Sequence, residues 1–505
     1  MTDSPQNEGP SSLPSTKTFL GHPRGLMILF FSEMWERFCY YGMRALLTLY
    51  LIDSIMKGNN EAFGIYGAYT ALVYAAPVIA GKVADKILGY RIAIILGGIL
   101  MSIGEFLILG GSESWLYIGM ATIIVGNGYF KANISSVVGK LYEENDPRRD
   151  SGFTIFYIGI NVGAFLATTI VAQIGSVYGY RWGFAMAGVG MMAGFLIFYL
   201  GRKLVYPHAE PPNPQKLYAP FLGPLNLQTV TILASLAVIP MLYVLFTYYT
   251  VVGWLLAATA IYVVFNLLST AFSSDNVQRD KIFMLIILML FNVVFWAFFE
   301  QAGTSLTIFA RDHINRTFAW LGNWEMAAAT TQFYNPFFIL VLGSIFSWMW
   351  VKLDKMKMNP NIPAKFGLGI AFLGFGYLLV PLSPVSATFL IPHIIIILLY
   401  FFHTTGELFI SPIGLSMVTK LAPKDLTGTV MGAWFLTFAG ANFLAGQIAQ
   451  LTGTVEGGDG VELTRAESFM VYEEVYTNIG LFAMGTGLFL ILISPVLKKL
   501  LHGVR

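Results

Sequence analysis

Seven charged side chains that could act together stand inside long apolar stretches of this chain. Four share one stretch: Glu33, Glu36, Arg37 and Arg44, interleaved with Tyr40 and Tyr41. On a helix at about 100° per residue these six fall within an arc of roughly 140° and climb about 16 Å of axis. A charge at the centre of a bilayer costs at least ~2.5–3.5 kcal/mol. Four on one face must therefore look into a wet cavity or at partners. Lys131, Glu300 and Glu407 lie equally deep in other apolar stretches. The bases Arg37, Arg44 and Lys131 are all in the first half of the chain, and Glu300 and Glu407 are in the second. Opposite signs on opposite halves suit a cavity between two bundles, whose ions pair when the halves close and hydrate when they part. The set holds three bases and four acids, so one bound proton would neutralise it. The expectation is a proton as coupling ion, entering at a Glu. A solute with an amine at one end and a carboxylate at the other would match the two-sided polarity.

The elements that must position these groups follow from composition. The chain is 56% hydrophobic and 11% charged over 505 residues, as expected of an integral membrane protein. Continuous apolar runs at about 24–52, 62–88, 91–111, 115–141, 150–175, 179–200, 227–249, 251–272, 280–311, 325–351, 363–381, 388–419, 425–450 and 470–500 predict about fourteen transmembrane helices. The runs do not alternate, which excludes a β-barrel. Pro77, Pro240, Pro336, Pro392 and Pro412 are expected to bend their helices. Lys and Arg concentrate in the loops on one side, which predicts both termini in the cytoplasm and a multi-pass protein of the cell inner membrane. Residues 1–23 are expected to be a disordered tail. A proline-rich linker precedes a hairpin of two uncharged runs, together 201–279, and that hairpin has the look of a peripheral structural pair. Six runs precede it (24–200) and six follow it (280–500). Two six-helix bundles around a central midplane site form the architecture of secondary transporters.

Other classes are excluded or left aside. Basic residues are scattered, so no nucleic-acid surface is expected. No metal-ligand spacing, phosphate-binding loop or nucleophile–base pair appears, so the chain is not expected to be an enzyme or to need a cofactor besides protons. Cys39 is the only cysteine, so no intrachain disulfide is possible. His403 stands one turn before Glu407 and is expected to be a satisfied structural histidine; Glu105 has no evident partner.

The segment from Gly81 to Arg91 resembles the inter-helix loop of the major facilitator superfamily. The run Glu33-x-x-Glu36-Arg37-Phe38-x-Tyr40-Tyr41-Gly42 resembles the first-helix signature of proton-dependent oligopeptide transporters, in their prokaryotic branch. Phe153 to Phe165, Phe295 to Gln301 and Gly406 to Pro412 are similar to further signatures of that family. The resemblance implies an all-α major facilitator fold and a proton-coupled symporter of di- and tripeptides working by alternating access, functional as a monomer in membrane lipid. It implies proton coupling through Glu33, Glu36, Arg37 and Glu300, with Arg44–Glu300 and Lys131–Glu407 as switching ion pairs. Glu407, Asn161 and Asn335 would take the peptide amine, Arg44 and Lys131 its carboxylate, and Tyr40, Tyr41, Tyr74, Trp296 and Trp434 its side chains. The rival within transport is a proton-coupled porter for nitrate, drug-like or other small solutes.

Overall fold

The structure is a computed structural model that describes residues 18–143, 146–423, 426–453 and 463–504. Residues 1–17 of the expected tail lie outside these. Residues 18–23 form a small antiparallel ladder, Thr18–Phe19 with His22–Pro23, and the His22 Nδ1 is 2.9 Å from the Tyr142 hydroxyl.

Among the described residues, 11 helices are long and apolar enough to cross a membrane. Three more complete fourteen: Gly25–Asp53 and Glu113–Lys140, which carry the buried charges and polar groups of the first half, and the 17-residue apolar helix Ile362–Leu378. In chain order they are α1 (Gly25–Asp53), α2 (Asn59–Val83), α3 (Tyr90–Ile108), α4 (Glu113–Lys140), α5 (Arg149–Leu166), α6 (Tyr180–Gly201), α7 (Leu227–Leu236 and Val238–Thr247), α8 (Tyr249–Ser273), α9 (Asn276–Phe299), α10 (Tyr334–Lys355), α11 (Ile362–Leu378), α12 (His393–Leu421), α13 (Thr427–Gln450) and α14 (Arg465–Leu497). Their starts are marked by polar caps: Ser112, Asn226, Asp275, Asn361 and Thr464 each accept from a backbone N–H three residues on.

Several expectations need correction. The loop expected from Gly81 is helical: α2 continues as a π-helical segment, Ala84–Leu88, and the chain turns only at Gly89, φ 74° and ψ 160°. The same construction recurs after α5, where a π-helical segment Ala167–Val171 and a short helix Ala172–Tyr178 end at Gly179, φ 100°. Both glycines head the triplet Gly-Tyr-Arg, at 89–91 and 179–181. The run 280–311 is not one helix. It breaks into a 3₁₀ turn at Glu300–Gly303 and a short helix Ser305–His313. Pro392 does not bend α12; it is the residue before the helix starts. Pro336 sits in the first turn of α10, where its missing N–H costs no bond. Pro240 acts as expected: it removes the bond to the Leu236 carbonyl, and α7 breaks at Ala237.

In the first half α1 packs on α5 and α6, and α3 on α4; in the second, α11 packs on α12 and α14. The halves meet where α2 lies along α13 and α5 along α10. At the first of these seams a Cβ on Gly446 would stand 2.6 Å from the Phe63 carbonyl and 3.0 Å from the Gly67 Cα. The absence of side chains lets the two backbones touch.

Candidate functional site

The charges of the α1 stripe are buried, with Glu33, Glu36, Arg37 and Arg44 each at most 5% exposed. Arg37 lies between two carboxylates. Its Nε is 3.2 Å from Glu33 Oε1, and it also pairs with Glu36. Asn127 on α4 donates to Glu36 Oε1 at 2.9 Å, while Glu33 Oε2 has no partner. A buried carboxylate oxygen without a donor is a place where a proton lowers the energy. Lys131 is within electrostatic reach of both glutamates. Three acids and bases on one helix are thus joined to a base on the neighbouring helix.

Arg44, two turns farther along α1, leaves this cluster and reaches the second half. It forms an ion pair with Glu300, and its Nε donates to the Tyr66 hydroxyl at 2.5 Å. The break after Glu300 makes this approach possible: Gly303 abuts the Tyr66 hydroxyl, and its carbonyl accepts from Thr48 Oγ1 at 2.6 Å. Nearer the end of α1, Arg311 bonds Asp53 Oδ1 at 3.0 Å. Gln450 donates to the Asn60 carbonyl at 2.9 Å, and the Ala327 N–H donates to Gln173 at 3.3 Å. These contacts all join the halves at the end of the molecule where α1 finishes.

The other expected pair is not formed. Lys131 Nζ instead sits 4.2 Å from the centre of the Tyr74 ring, a cation–π contact. Glu407 accepts from Asn335 Nδ2 at 2.7 Å, and Asn335 also donates to Thr404 at 3.1 Å. Glu407 nevertheless lies within electrostatic reach of Tyr41 and Tyr157 on the first half. Tyr41, Tyr74, Lys131 and Asn335 are partly exposed, so they face an accessible space between the halves. Tyr40, 1% exposed, packs edge-on against Tyr41 at 5.2 Å. Trp296 packs against Phe299 and Phe438, and Tyr74 stacks on Phe438 at 5.8 Å. Trp434 is 1% exposed and packs over Gly414, so it offers no open surface in this conformation. Asn161 is turned onto its own helix, donating to the Tyr157 carbonyl at 3.0 Å.

A family model described as the POT family matches residues 91–461. The chain is 36% identical to an uncharacterised transporter, YclF, of Bacillus subtilis (strain 168) over 97% of both chains. It is 33% identical to a di-/tripeptide transporter of Lactococcus lactis subsp. lactis (strain IL1403), over 97% of this chain and 98% of the relative. A crystal structure of a POT peptide transporter in complex with alafosfalin aligns with a TM-score of 0.81 at 34% identity, over 96% of this chain and 97% of that one. The chain belongs to the POT family. It is a multi-pass membrane transporter of major facilitator fold, and not an enzyme.

Some residues of this POT-family site escaped the sequence. Tyr66, Asn127, Thr404, Tyr157 and Phe438 all contact it, yet each is an uncharged residue in a helix full of similar ones. Tyr157 lay within the stretch Phe153 to Phe165 already singled out, and Asn127 stands one helical turn before Lys131. Glu105 has a partner after all: Cys39 Sγ donates to its Oε1 at 3.3 Å. His403 is not the satisfied histidine expected, because its Nε2 is buried without a hydrogen-bond partner. Its ring packs 4.6 Å from Tyr377 and is 1% exposed.

Proposed function

We propose that this transporter is a monomeric proton-coupled symporter that imports di- and tripeptides by alternating access. It lies in the cell inner membrane with both termini in the cytoplasm, and its bundles 24–200 and 280–500 rock about a central site. The observation that carries this reading is an asymmetry. Of two cross-half acid–base pairs, Arg44–Glu300 is joined at one end, while Lys131 and Glu407 stand apart with separate partners. In that orientation the end of α1 faces outside, so the outside is closed while the site remains accessible from within.

The chemistry follows from the geometry. Glu33, Glu36 and Arg37 hold and release the proton, because one carboxylate oxygen there lacks a donor. Glu300 is the second proton acceptor: once protonated it no longer holds Arg44, and the outer end is free to part. Glu407, fixed by Asn335, takes the peptide amine, with Asn161 completing that wall when its carboxamide turns from the Tyr157 carbonyl. Lys131 and Arg44 take the carboxylate. Tyr40, Tyr41, Tyr74, Trp296 and Trp434 form the apolar surfaces for side chains, Tyr40 and Trp434 once the halves part. The relatives named as di-/tripeptide transporters support the cargo.

A second reading extends the cargo to non-peptide amino acids, since a family member of 30% identity has been solved with 5-aminolevulinic acid. That molecule also carries an amine and a carboxylate. Nitrate has no amine and leaves the acidic wall unused. Uptake of labelled dialanine into proteoliposomes tests the first reading, and its competition by 5-aminolevulinic acid tests the second. Uptake should rise with an inward proton gradient and be competed by other dipeptides and not by nitrate. Uptake indifferent to the gradient would overturn proton coupling, and competition by nitrate alone would overturn the cargo.

A further inference from the structure

The hairpin α7–α8 contributes nothing to the charged site, but it completes a cavity. Its first helix lies on the first half, where the Tyr129 hydroxyl and Ser235 Oγ are 2.6 Å apart. Its second helix lies against α9 and α13. Between α8, α9 and α13 is a crevice of about 740 Å³, walled by Val263, Val264, Met289, Val293, Leu436 and Gly440. The void is real at the level of the backbone: a Cβ built on Gly440 would meet nothing within 4 Å. Polar side chains reach the crevice at Thr250, Thr259, Thr437 and Gln447. Thr437 accepts from Asn292 Nδ2 at 2.7 Å, and the Asn292 Oδ1 is buried without a partner. Gln447, a further lining residue, is partly exposed, and its amide nitrogen is buried and also has no partner.

The location limits what can fill this space. A buried water needs two to four polar partners, and walls of carbon supply none along most of the length. An empty crevice of this size would forfeit dispersion contacts on every side. The surrounding medium supplies the alternative. Trp254 and Phe265 of α8 are 76% and 70% exposed, as apolar side chains on a membrane-crossing helix are when they face hydrocarbon. Along α13 the lining runs from Ala433 to Gln447, about 21 Å at 1.5 Å per residue. One leaflet of hydrocarbon is about 15 Å deep. The crevice therefore spans a leaflet, and Gln447, three residues from the end of α13, stands near the depth at which a lipid's ester carbonyls lie.

We infer that this crevice binds one acyl chain of a membrane lipid, with the ester carbonyl accepting a hydrogen bond from Gln447 Nε2. The chain runs along the faces of α9 and α13, the two helices that also carry Trp296 and Trp434. It thus fills the joint between the hairpin and the helices of the second half that line the site. The role holds for any cargo, and its test needs no transport.

The test uses full-length protein in vesicles of phosphatidylcholine bearing a photoactivatable diazirine in one acyl chain. After irradiation, adducts are mapped by peptide mass spectrometry. Adducts should concentrate on 286–293 and 433–444 relative to the lipid-facing Leu488 and Leu492 of α14. Gly440→Phe, which fills open space without a backbone clash, should reduce crevice adducts severalfold and leave those on α14 unchanged. Ala257→Phe, from the opposite wall, should do the same, which guards against one variant that fails to fold. Gln447→Leu should remove a preference for ester-linked over ether-linked lipid. Equal labelling of crevice and α14, or crevice labelling that survives both filling variants, would overturn the proposal.

Discussion

At the scale of single residues, burial decides which ion pairs matter. Arg44 and Glu300 have side chains only 6% and 3% exposed. Removing one partner of such a pair strands the other charge, at a cost of about 3–5 kcal/mol. Asp53 and Arg311 are 35% and 30% exposed, and a pair in water is worth about 0.2–1 kcal/mol. Glu300→Ala should therefore lower the thermal unfolding midpoint of the purified protein clearly, whereas Asp53→Asn should barely move it. Equal shifts would mean that water reaches Arg44 as freely as it reaches Arg311. The same residue logic separates coupling from binding. Glu36→Gln should abolish gradient-driven uptake while counterflow exchange persists, because the alternating motion does not need the proton once peptide is on both sides. Loss of both activities would make Glu36 a structural residue. Glu407→Gln should weaken a dipeptide far more than its analogue without the amine; a similar loss for both would remove the proposed amine contact.

At the scale of elements, the two Gly-Tyr-Arg turns offer a matched comparison. Gly89 and Gly179 both hold backbone angles reserved for glycine, so an alanine at either costs about 1–3 kcal/mol. Only at Gly89 would the added Cβ also strike the backbone, 2.5 Å from the Pro211 nitrogen; at Gly179 it would meet nothing. Gly89→Ala should thus destabilise more than Gly179→Ala in the same unfolding assay. Equal effects would show that the linker can move away from Gly89. The spans were legible in the sequence, because apolar length carries direct physical meaning, whereas the loop expected from Gly81 is helical and turns only at Gly89. The break at Thr304 was not legible. Phe295 to Phe309 carries a single charge, Glu300, and its Gly303, Thr304, Ser305 and Thr307 are small or weakly polar, so hydropathy cannot separate one long helix from two joined at an angle. Of the two ion pairs that the family resemblance implied, one is joined and one is not. A sequence encodes every state of a transporter at once, and under the proposed alternating access Lys131 and Glu407 would pair in a different state. Tyr66 and Asn127 were missed for a simpler reason: an uncharged polar group in an apolar helix carries no sign, so nothing in the sequence says which acid or base it serves.

At the scale of the molecule, the halves are fastened at one end by contacts of different kinds: an inner ion pair, an outer ion pair, backbone-directed bonds from Thr48 and Gln450, and the glycine seam of α2 and α13. If transport requires this end to open, a covalent tie across it must stop the cycle without disturbing either half. The chain suits the experiment, because its single native cysteine, Cys39, is fully buried. With Asp53→Cys and Arg311→Cys together, a cleavable thiol crosslinker of the length of an ion pair should abolish uptake, and cleaving it should restore uptake. Each single variant should be indifferent to the reagent, since it offers one accessible thiol and Cys39 is buried. The tied protein should still bind peptide from the open end, with affinity unchanged or raised, because the tie holds the conformation in which Lys131 and Glu407 are accessible. Uptake that continues in the tied protein would mean that this end does not part during transport, and the rocking of two bundles would have to be replaced by a motion confined to the other end.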